Sequence, residues 1–329
     1  MSKFIGRLTS LGLARESSRK TLVAPTIYMR HTSLDFDDDY EKITSEAGVG
    51  RLEQGNQAHL TRRMSSGSVE GEVGSQSIGL LLYSLLGTLN TTQNSPVSGA
   101  HSHAFSLAQS NQHPMLTLAK VDPDRTKLYH VMPTSMTLSV TQGEFVTHST
   151  ELMGMKGNDW SALTPSYPDE LKFLGRNVSI KFAADIAGLG AAAAVNFKSL
   201  SLSIVQNTAY DDQLGTLEPN DIINQSFDIT GEFELNNDDS TDTFRNYLRD
   251  NTMRAMEIVF TSDGYVTGTT PATLTFQFPK VSFQTWERND DLDALSTQTI
   301  EFRALTDLAN SQASVTTATL VNGEDGTNY

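Results

Sequence analysis

The sequence predicts a mainly β protein, an antiparallel sandwich or barrel, and three observations predict it. Apolar and polar residues alternate with a period of two in about ten separate stretches, the pattern of half-buried strands. Polar turns separate those stretches. Only two segments switch to helical spacing.

The clearest alternation is "KSLSLSIVQN", Lys198–Asn207, with Leu200, Leu202 and Ile204 on one face and Ser199, Ser201 and Ser203 on the other. "SMTLSV" puts Met136, Leu138 and Val140 on one side. "SFDITGEFEL" does the same with Phe227, Ile229, Phe233 and Leu235, with Gly231 in register. "TLTFQF" offers Leu274, Phe276 and Phe278, and "TIEFRAL" offers Ile300, Phe302 and Ala304. Shorter candidates are "VEGEV" (69–73), "AFSLA" (104–108), "LTLAKV" (116–121), "EFVTHSTEL" (144–152) and "VSIKFA" (178–183). Such a run of strands joined by polar turns reads as antiparallel sheet.

The first helix is expected in "SQSIGLLLYSLLG". Ser75 or Ser77 can cap it, Ile78, Leu81, Leu82, Leu85 and Leu86 repeat at helical spacing, and Gly87 can end it. The second is expected after the Asp238–Asp242 cluster, which suits a helix N-terminus, with a stripe of Phe244, Tyr247, Leu248, Asn251 and Ala255. Each is expected to pack on a sheet. "KGNDWSALTPSYPDELKFLG" carries Gly157, Pro165 and Pro168 and reads as a long loop joining two halves. "TSMTLSVTQGEFVTHSTELMG" and "KSLSLSIVQNTAYDDQLG" read as a weak pseudo-repeat. "AGLGAAAAVN" (187–196) reads as a hairpin loop or a tight packing contact.

At 329 residues and 38% hydrophobic, the chain can bury a core in one or two domains. It contains no Cys, which excludes disulfides and thiolate metal sites and fits synthesis in a reducing cytoplasm. The longest apolar run, Ile78 to Gly87, falls short of the ~18 residues of a membrane span. The N-terminal cations are not followed by an apolar block, so no secretion signal is expected. A net charge of −15 argues against tight duplex binding. The charge is uneven. Residues 1–30 hold six cations (Lys3, Arg7, Arg15, Arg19, Lys20 and Arg30) against Glu16, a balance of +5, which leaves −20 for the remainder. Such an arm is either a solvated tail or a contact to the acidic body of a neighbouring copy.

Signatures of catalysis are absent: there is no phosphate-binding G-x-x-x-x-G-K-[ST], no H-E-x-x-H and no G-x-S-x-G. "SGSVEG" around Ser68 lies where a strand is expected. His101 and His103 form H-x-H, but no third metal ligand is evident. "DFDDDYE" (35–41) lacks the central Gly and distant Glu of a calcium loop and reads as a solvated acidic turn. Asp290, Asp291 and Asp293 have no His or Arg patterned around them as an acid–base site would. No catalytic residue, cofactor or metal is expected. A carbohydrate-binding sandwich would need an aromatic platform, yet Trp160 and Trp286 fall in different elements. A membrane barrel would need aromatic girdles.

The order of features carries a resemblance. "SGSVEGEV" leads into the leucine-rich helix and Gly87. "MTLSVTQGE", "FKSLSLSIVQN" and "IINQSFDITGEFEL" follow, then a helix, "LTFQFPKVSFQTWER" and "STQTIEFRALTDL". Near the start, "LGLARESSRKTLVAPTIYMRHTSL" places Gly12, Glu16 and Thr21 before the first strand. Over about residues 10–308 this succession resembles the tail tube (major tail) proteins of long-tailed bacteriophages. The resemblance implies a tail-tube-type β-sandwich with flanking helices, contributing hairpins to an inter-subunit β-barrel. It implies six copies per ring, stacked rings and a hollow conduit for DNA ejection. It also implies a virion location after synthesis in the host cytoplasm, and a tail terminator, tail tip and tape measure protein as partners. A tail terminator, a tail-like bacteriocin or a secretion tube would share the ring.

On that reading the chain divides into an arm (1–30), a tube domain (31–308) of two pseudo-related halves joined by loop 156–176, and a C-terminal extension (309–329). Asp228, Thr230, Glu232 and Glu234 lie opposite the apolar face of their strand and are the candidates for lining a lumen. Carboxylates there would repel phosphates and keep DNA from sticking. Arg7, Arg15, Arg19, Lys20 and Trp160 are the candidates for contacts between rings.

Overall fold

The computed structural model describes residues 3–53, 55–94, 99–238, 242–290, 292–315 and 317–329. In chain order the strands and helices are Ser10–Arg15 (β1), Ile27–Met29 (β2), Ser33–Thr44 (β3), Ala58–Glu72 (β4), Ile78–Leu86 (α1), Gly87–Gln93 (β5), His101–Leu107 (β6), Leu116–Val121 (β7), Thr126–Thr141 (β8), Thr147–Gly154 (β9) and Asn158–Asp159 (β10). There follow Phe173–Ala183 (β11), Ala194–Val195 (β12), Ser199–Asp211 (β13), Asp221–Asn236 (β14), Thr243–Arg249 (α2), Arg254–Thr267 (β15), Thr270–Asn289 (β16), Thr297–Ala304 (β17) and Thr317–Asn322 (β18).

The strands form one continuous antiparallel sheet that does not close on itself. Eight strands make its main layer, in the order β3-β4-β9-β8-β13-β14-β17-β16. Two of them continue out of it. The first part of β8 pairs with β7, β7 with β1, and β1 with β2. The first part of β16 pairs with β15, which leads to β11 and β12, and on its other side with β18, β6 and β5. Both long strands change partners near a register shift, between Pro133 and Ser135 in β8 and between Phe283 and Thr285 in β16. An extra residue bends and twists a strand, so one strand can serve two layers.

The core lies between those layers. Leu200, Leu202 and Ile204 are buried, as their alternation demands, and so are Met136, Leu138, Val140, Phe233, Phe276, Phe278, Ile300 and Phe302. The ring of Phe182 on β11 is 5.6 Å from that of Phe233 on β14 and 5.8 Å from that of Phe283 on β16. β11 and β14 share no ladder, so this is face-to-face packing between layers. Phe244 of α2 sits 5.3 Å from both Phe182 and Phe233. At the other end of the sheet, Phe36 meets Tyr129 edge-on at 5.1 Å.

The helices depart from expectation in ways their surroundings explain. Every residue of α1 is buried, so it is an interior helix and not a flanking one. "IGLLLYSLL" is apolar nearly all round and requires cover on every side. Gly87 ends the helix at φ 93°, as expected. Ser77 occupies the N-cap position, one of the two expected, but its side chain makes no capping hydrogen bond. Glu170, from the loop before β11, accepts hydrogen bonds from the Gln76 and Ser77 backbone N–H groups at 3.1 and 3.0 Å and from the Ser77 hydroxyl. The second helix is shorter than its predicted stripe. It ends at Arg249, Asn251 takes a left-handed φ of 50°, and Ala255 belongs to β15. Of the acidic cluster before it, only Asp238 and Asp242 lie within the described residues.

Both terminal segments are woven into the fold. Leu11, Leu13, Ala14, Ile27, Tyr28 and Met29 are buried, so these residues of the expected arm lie within the fold. β18 pairs with β16 and β6. Tyr329 is 2% exposed and donates a hydrogen bond to the Gln76 carbonyl at 2.6 Å. Its ring packs on α1 so closely that a Cβ at Gly79 would lie 2.5 Å from it. Loop 156–176 is shorter than expected, because β10 occupies 158–159 and β11 starts at Phe173. The Ala- and Gly-rich insertion forms a 3-10 turn, Ile186–Ala191, that buries Leu189, followed by β12. The two segments read as a pseudo-repeat prove to be neighbours: β8 and β13 pair directly, with Leu138 opposite Leu202.

Two expectations follow from these contacts. Replacing Glu170 with Ala strands two backbone donors at a buried helix end and should destabilise the protein by roughly 2–4 kcal/mol in urea unfolding. Glu170→Gln should recover part of that loss. His148, buried on β9 with Nδ1 3.2 Å from the Thr150 hydroxyl, has its pKa pushed down by burial to about 4. The unfolded chain binds that proton near pH 6.5, so protonation favours unfolding across the interval between the two values. Stability should be fully present above about pH 6.5 and fall by about 3 kcal/mol on acidification to pH 4. His148→Gln should flatten that part of the curve relative to the parent.

Candidate functional site

The feature that stands out is the polar face of the eight-stranded layer. Period-two alternation fixes its composition, because the opposite alternates are committed to the core. At its centre are the hydroxyls of β8 and β13: Ser135, Thr137, Ser139 and Thr141 beside Ser199, Ser201 and Ser203. Thr137 Oγ1 and Ser203 Oγ are 3.4 Å apart. Acids lie to either side of this strip. β14 presents Asp228, Thr230, Glu232 and Glu234, and β17 adds Glu301 and Arg303. In the other direction β4 and β9 present Ser66, Ser68, Glu70, Ser149 and Glu151.

The four lumen candidates therefore share one face, and they are not electrostatically equal. Arg303 Nε donates to Asp228 at 2.8 Å, and Lys198 Nζ lies 3.4 Å from Glu234. Glu232 is exposed, stands opposite Ser201 on one side and Glu301 on the other, and has no cation in contact among the described residues. Like charges directly across a ladder destabilise a sheet. Glu70 and Glu151 are likewise unpaired on this face among the described residues. Glu301 escaped the sequence reading, although "TIEFRAL" held the signal: it sits between the buried Ile300 and Phe302. Its place beside Glu232 is a matter of long-range register, which local pattern does not contain.

Such a face has no nucleophile beside a base, no cationic cluster for phosphates and no aromatic platform for bases. It is a wettable, negatively charged surface that repels polyanions.

The five cationic and aromatic candidates separate into two groups. Arg15 donates to the Tyr329 carbonyl at 2.9 Å and stacks on Tyr83. Arg19 donates to the His113 carbonyl, to Asp221 at 2.7 Å and to the Ile222 carbonyl at 2.6 Å. Lys20 Nζ donates to the Asn220 carbonyl at 3.0 Å. These three fasten the N-terminal segment to its own chain. Arg7 and Trp160 have no side-chain partner among the described residues. Arg7 lines an open cleft of about 830 Å³ with Arg30, Lys120 and Tyr167, beside the start of β3.

The remaining polar motifs are structural. His103 is buried, its ring nitrogens 2.9 Å from Thr91 Oγ1 and 2.9 Å from Asn322 Oδ1. His101 is its neighbour on β6, and among the described residues no three potential ligands converge on a metal site. "DFDDDYE" is strand and not a solvated turn. Asp37 contacts Lys120 and Arg125 at 3.2 and 3.7 Å, and Asp38 accepts from Lys127 and from the Gly157 N–H at 2.7 Å. Asp290 pairs with Arg288 at 2.7 Å, and Asp291 lies outside the described residues.

No curated protein matches the chain. Among solved structures it is similar to a chain of the cryo-EM structure of the anti-feeding prophage (AFP) baseplate, 6-fold symmetrised. That likeness is 15% identical, covers 43% of this chain and 92% of the other, and has a TM-score of 0.31. The family model described as phage tail tube protein matches residues 6–325. With nearly its whole length matched, the chain belongs to the phage tail tube protein family.

Proposed function

We propose that this chain is a structural virion protein that joins side by side into rings, and that the rings stack into the hollow tail tube through which DNA is ejected into the host. One observation carries the proposal: the layer that bears the acidic face is open at both margins. β3 pairs only with β4, and β16 beyond Val281 pairs only with β17, among the described residues. Open strand edges present unpaired backbone groups that invite another strand. Joining margin to margin around an axis turns the layer into a barrel wall, with the apolar alternates in the subunit and the acidic alternates on the bore.

In that arrangement Glu232 and Glu301 face the duplex with Asp228, Thr230 and Glu234, and DNA passes without sequence-specific binding. Carboxylates repel phosphates, and solution counter-ions damp the repulsion beyond about 8–10 Å. The unfavourable juxtaposition of Glu232 and Glu301 then has a role. Arg7 and Trp160 take the contact between successive rings. The partners are other copies of the chain, the tape measure in the bore, and the tail terminator and tip at the tube ends. A tail terminator would present a similar face as a single ring.

Electron microscopy of the purified protein should show hollow tubes. Single rings would favour the terminator reading, and monomers at every concentration would sink the assembly. Glu232→Lys combined with Glu301→Lys should leave tubes intact and lower DNA delivery by roughly tenfold or more, because two carboxylates per chain become cations that attract phosphate. Undiminished delivery through normal tubes would remove these residues from the bore. Trp160→Ala with Arg7→Glu tests the axial contact: rings should form and stacking should be lost.

A further inference from the structure

We propose that the chain is two copies of one structural module in tandem, and that the next chain in the ring docks by repeating the junction between them. The inference rests on the tube reading and deepens it. Six ladders of the first module (β1–β2, β1–β7, β7–β8, β8–β9, β9–β4 and β4–β3) recur in the second. The counterparts are β11–β12, β11–β15, β15–β16, β16–β17, β17–β14 and β14–β13. The strands come in the same chain order, and a helix follows β4 and β14 alike.

The correspondence extends to single residues. Val131 faces Gly154 and Ser135 faces Glu151, with one unpaired residue, Thr134, between them on β8. Val281 faces Ala304 and Thr285 faces Glu301, with Gln284 unpaired in the same place on β16. Gly67 faces Phe36, and Gly231 faces Leu202. A Cβ at Gly67 would strike the Asp35 carbonyl at 1.8 Å, and one at Gly231 the Ser201 carbonyl at 2.6 Å. Asp35 and Ser201 are equivalent positions. Thr32 N–H donates to the Glu70 backbone carbonyl at 2.8 Å, and Lys198 N–H to the Glu234 backbone carbonyl at 2.7 Å. β5, β6, β10 and β18 have no counterpart and are additions to the shared plan.

The modules are joined edge to edge. Ser135–Thr141 of β8 pairs with Ser199–Val205 of β13. The turn after β8 also receives the start of the second module: Phe145 bridges to Leu174, and the Gly175 N–H donates to the Glu144 backbone carbonyl at 2.9 Å. The strands equivalent to β8 and β13 at the outer ends of the chain are β16 and β3, the two open margins. Copying the junction pairs Thr285 with Asp39, Trp286 with Asp38, Glu287 with Asp37, Arg288 with Phe36 and Asn289 with Asp35 of the next copy. Lys120 and Arg125 beside Asp37 offset its approach to Glu287.

The copied turn contact brings Leu295, at the place of Phe145, to the segment before β1 that holds Phe4 and Ile5. An independent feature agrees with it. Phe4 and Ile5 are 57% and 64% exposed at one margin, and Leu292 and Leu295 are 102% and 78% exposed at the other. Large apolar side chains thus stand bare where the copied contact requires cover.

Each chain then fills two positions around the bore, and a ring has half as many chains as modules. A ring of six modules holds three chains and not six, and its true symmetry is three-fold beneath an apparent six-fold.

The chain lacks Cys, which makes cross-linking direct. Asp35→Cys with Asn289→Cys should oxidise in assembled tubes into a ladder of covalent multimers ending at the closed ring. Ser139→Cys with Ser201→Cys, the equivalent pair inside the chain, should close without a gain in mass. Phe4→Cys with Leu295→Cys gives a second pair at the same junction. Reconstruction of the tube should show eight bore strands per chain. Tubes in which the internal pair closes and neither intermolecular pair does, or rings with one module position per chain, would overturn the inference and leave the tube reading standing. A wild-type protein that forms no lateral assembly would overturn both.

Discussion

A strand leaves hydrogen-bonding groups along both of its edges, and each group must meet a partner or water. That constraint organises this chain. Within the main layer six of eight strands are flanked on both sides, and the ladder between β8 and β13 is what makes two sets of strands one sheet. Without it the sheet would have four open margins, two of them lined by Leu138, Leu202 and Ile204, which are otherwise buried. The core is continuous because this ladder brings both apolar faces to the same side.

Two strands are asked to belong to two layers at once. β8 and β16 do so by carrying one extra residue each, which bends the strand and changes its neighbours. The space between the layers is then filled by rings in edge and tilted contact, Phe182, Phe233, Phe244 and Phe283 in one region and Phe36 with Tyr129 in another. The opposite face of the main layer is left polar, and its carboxylates have no part in the core.

The chain ends act as fasteners. Arg19 ties the segment after β1 to β14 through Asp221 and Ile222, and the Arg15 guanidinium reaches the carbonyl of Tyr329. Tyr329 in turn seals α1, whose N-terminus is closed by Glu170 from a loop far away in sequence. A helix with no polar face needs cover from every direction, and here, among the described residues, it comes from six separate places in the chain: β1, β5, β6, β8, the loop before β11 and the C-terminal residues.

The alternation in "KSLSLSIVQN", "SFDITGEFEL" and "TIEFRAL" determined by itself which side chains are buried and that Asp228, Thr230, Glu232 and Glu234 share a face. A strand has only two faces, and a run of apolar alternates settles which is inside. The left-handed turn at Gly87 was equally local. Register was not local. Glu232 meets Glu301, Glu170 finds α1, and Arg15 finds Tyr329 only because distant segments are laid side by side, and nothing in a strand's own residues names its neighbour. The tandem plan stayed hidden for the same reason. β8 and β13 look alike as sequences because both have polar alternates over a shared core, yet they are partners. The true equivalents, "TSLDFD" and "KSLSLS", are recognisable only once each is seen to face the same glycine, Gly67 in one module and Gly231 in the other.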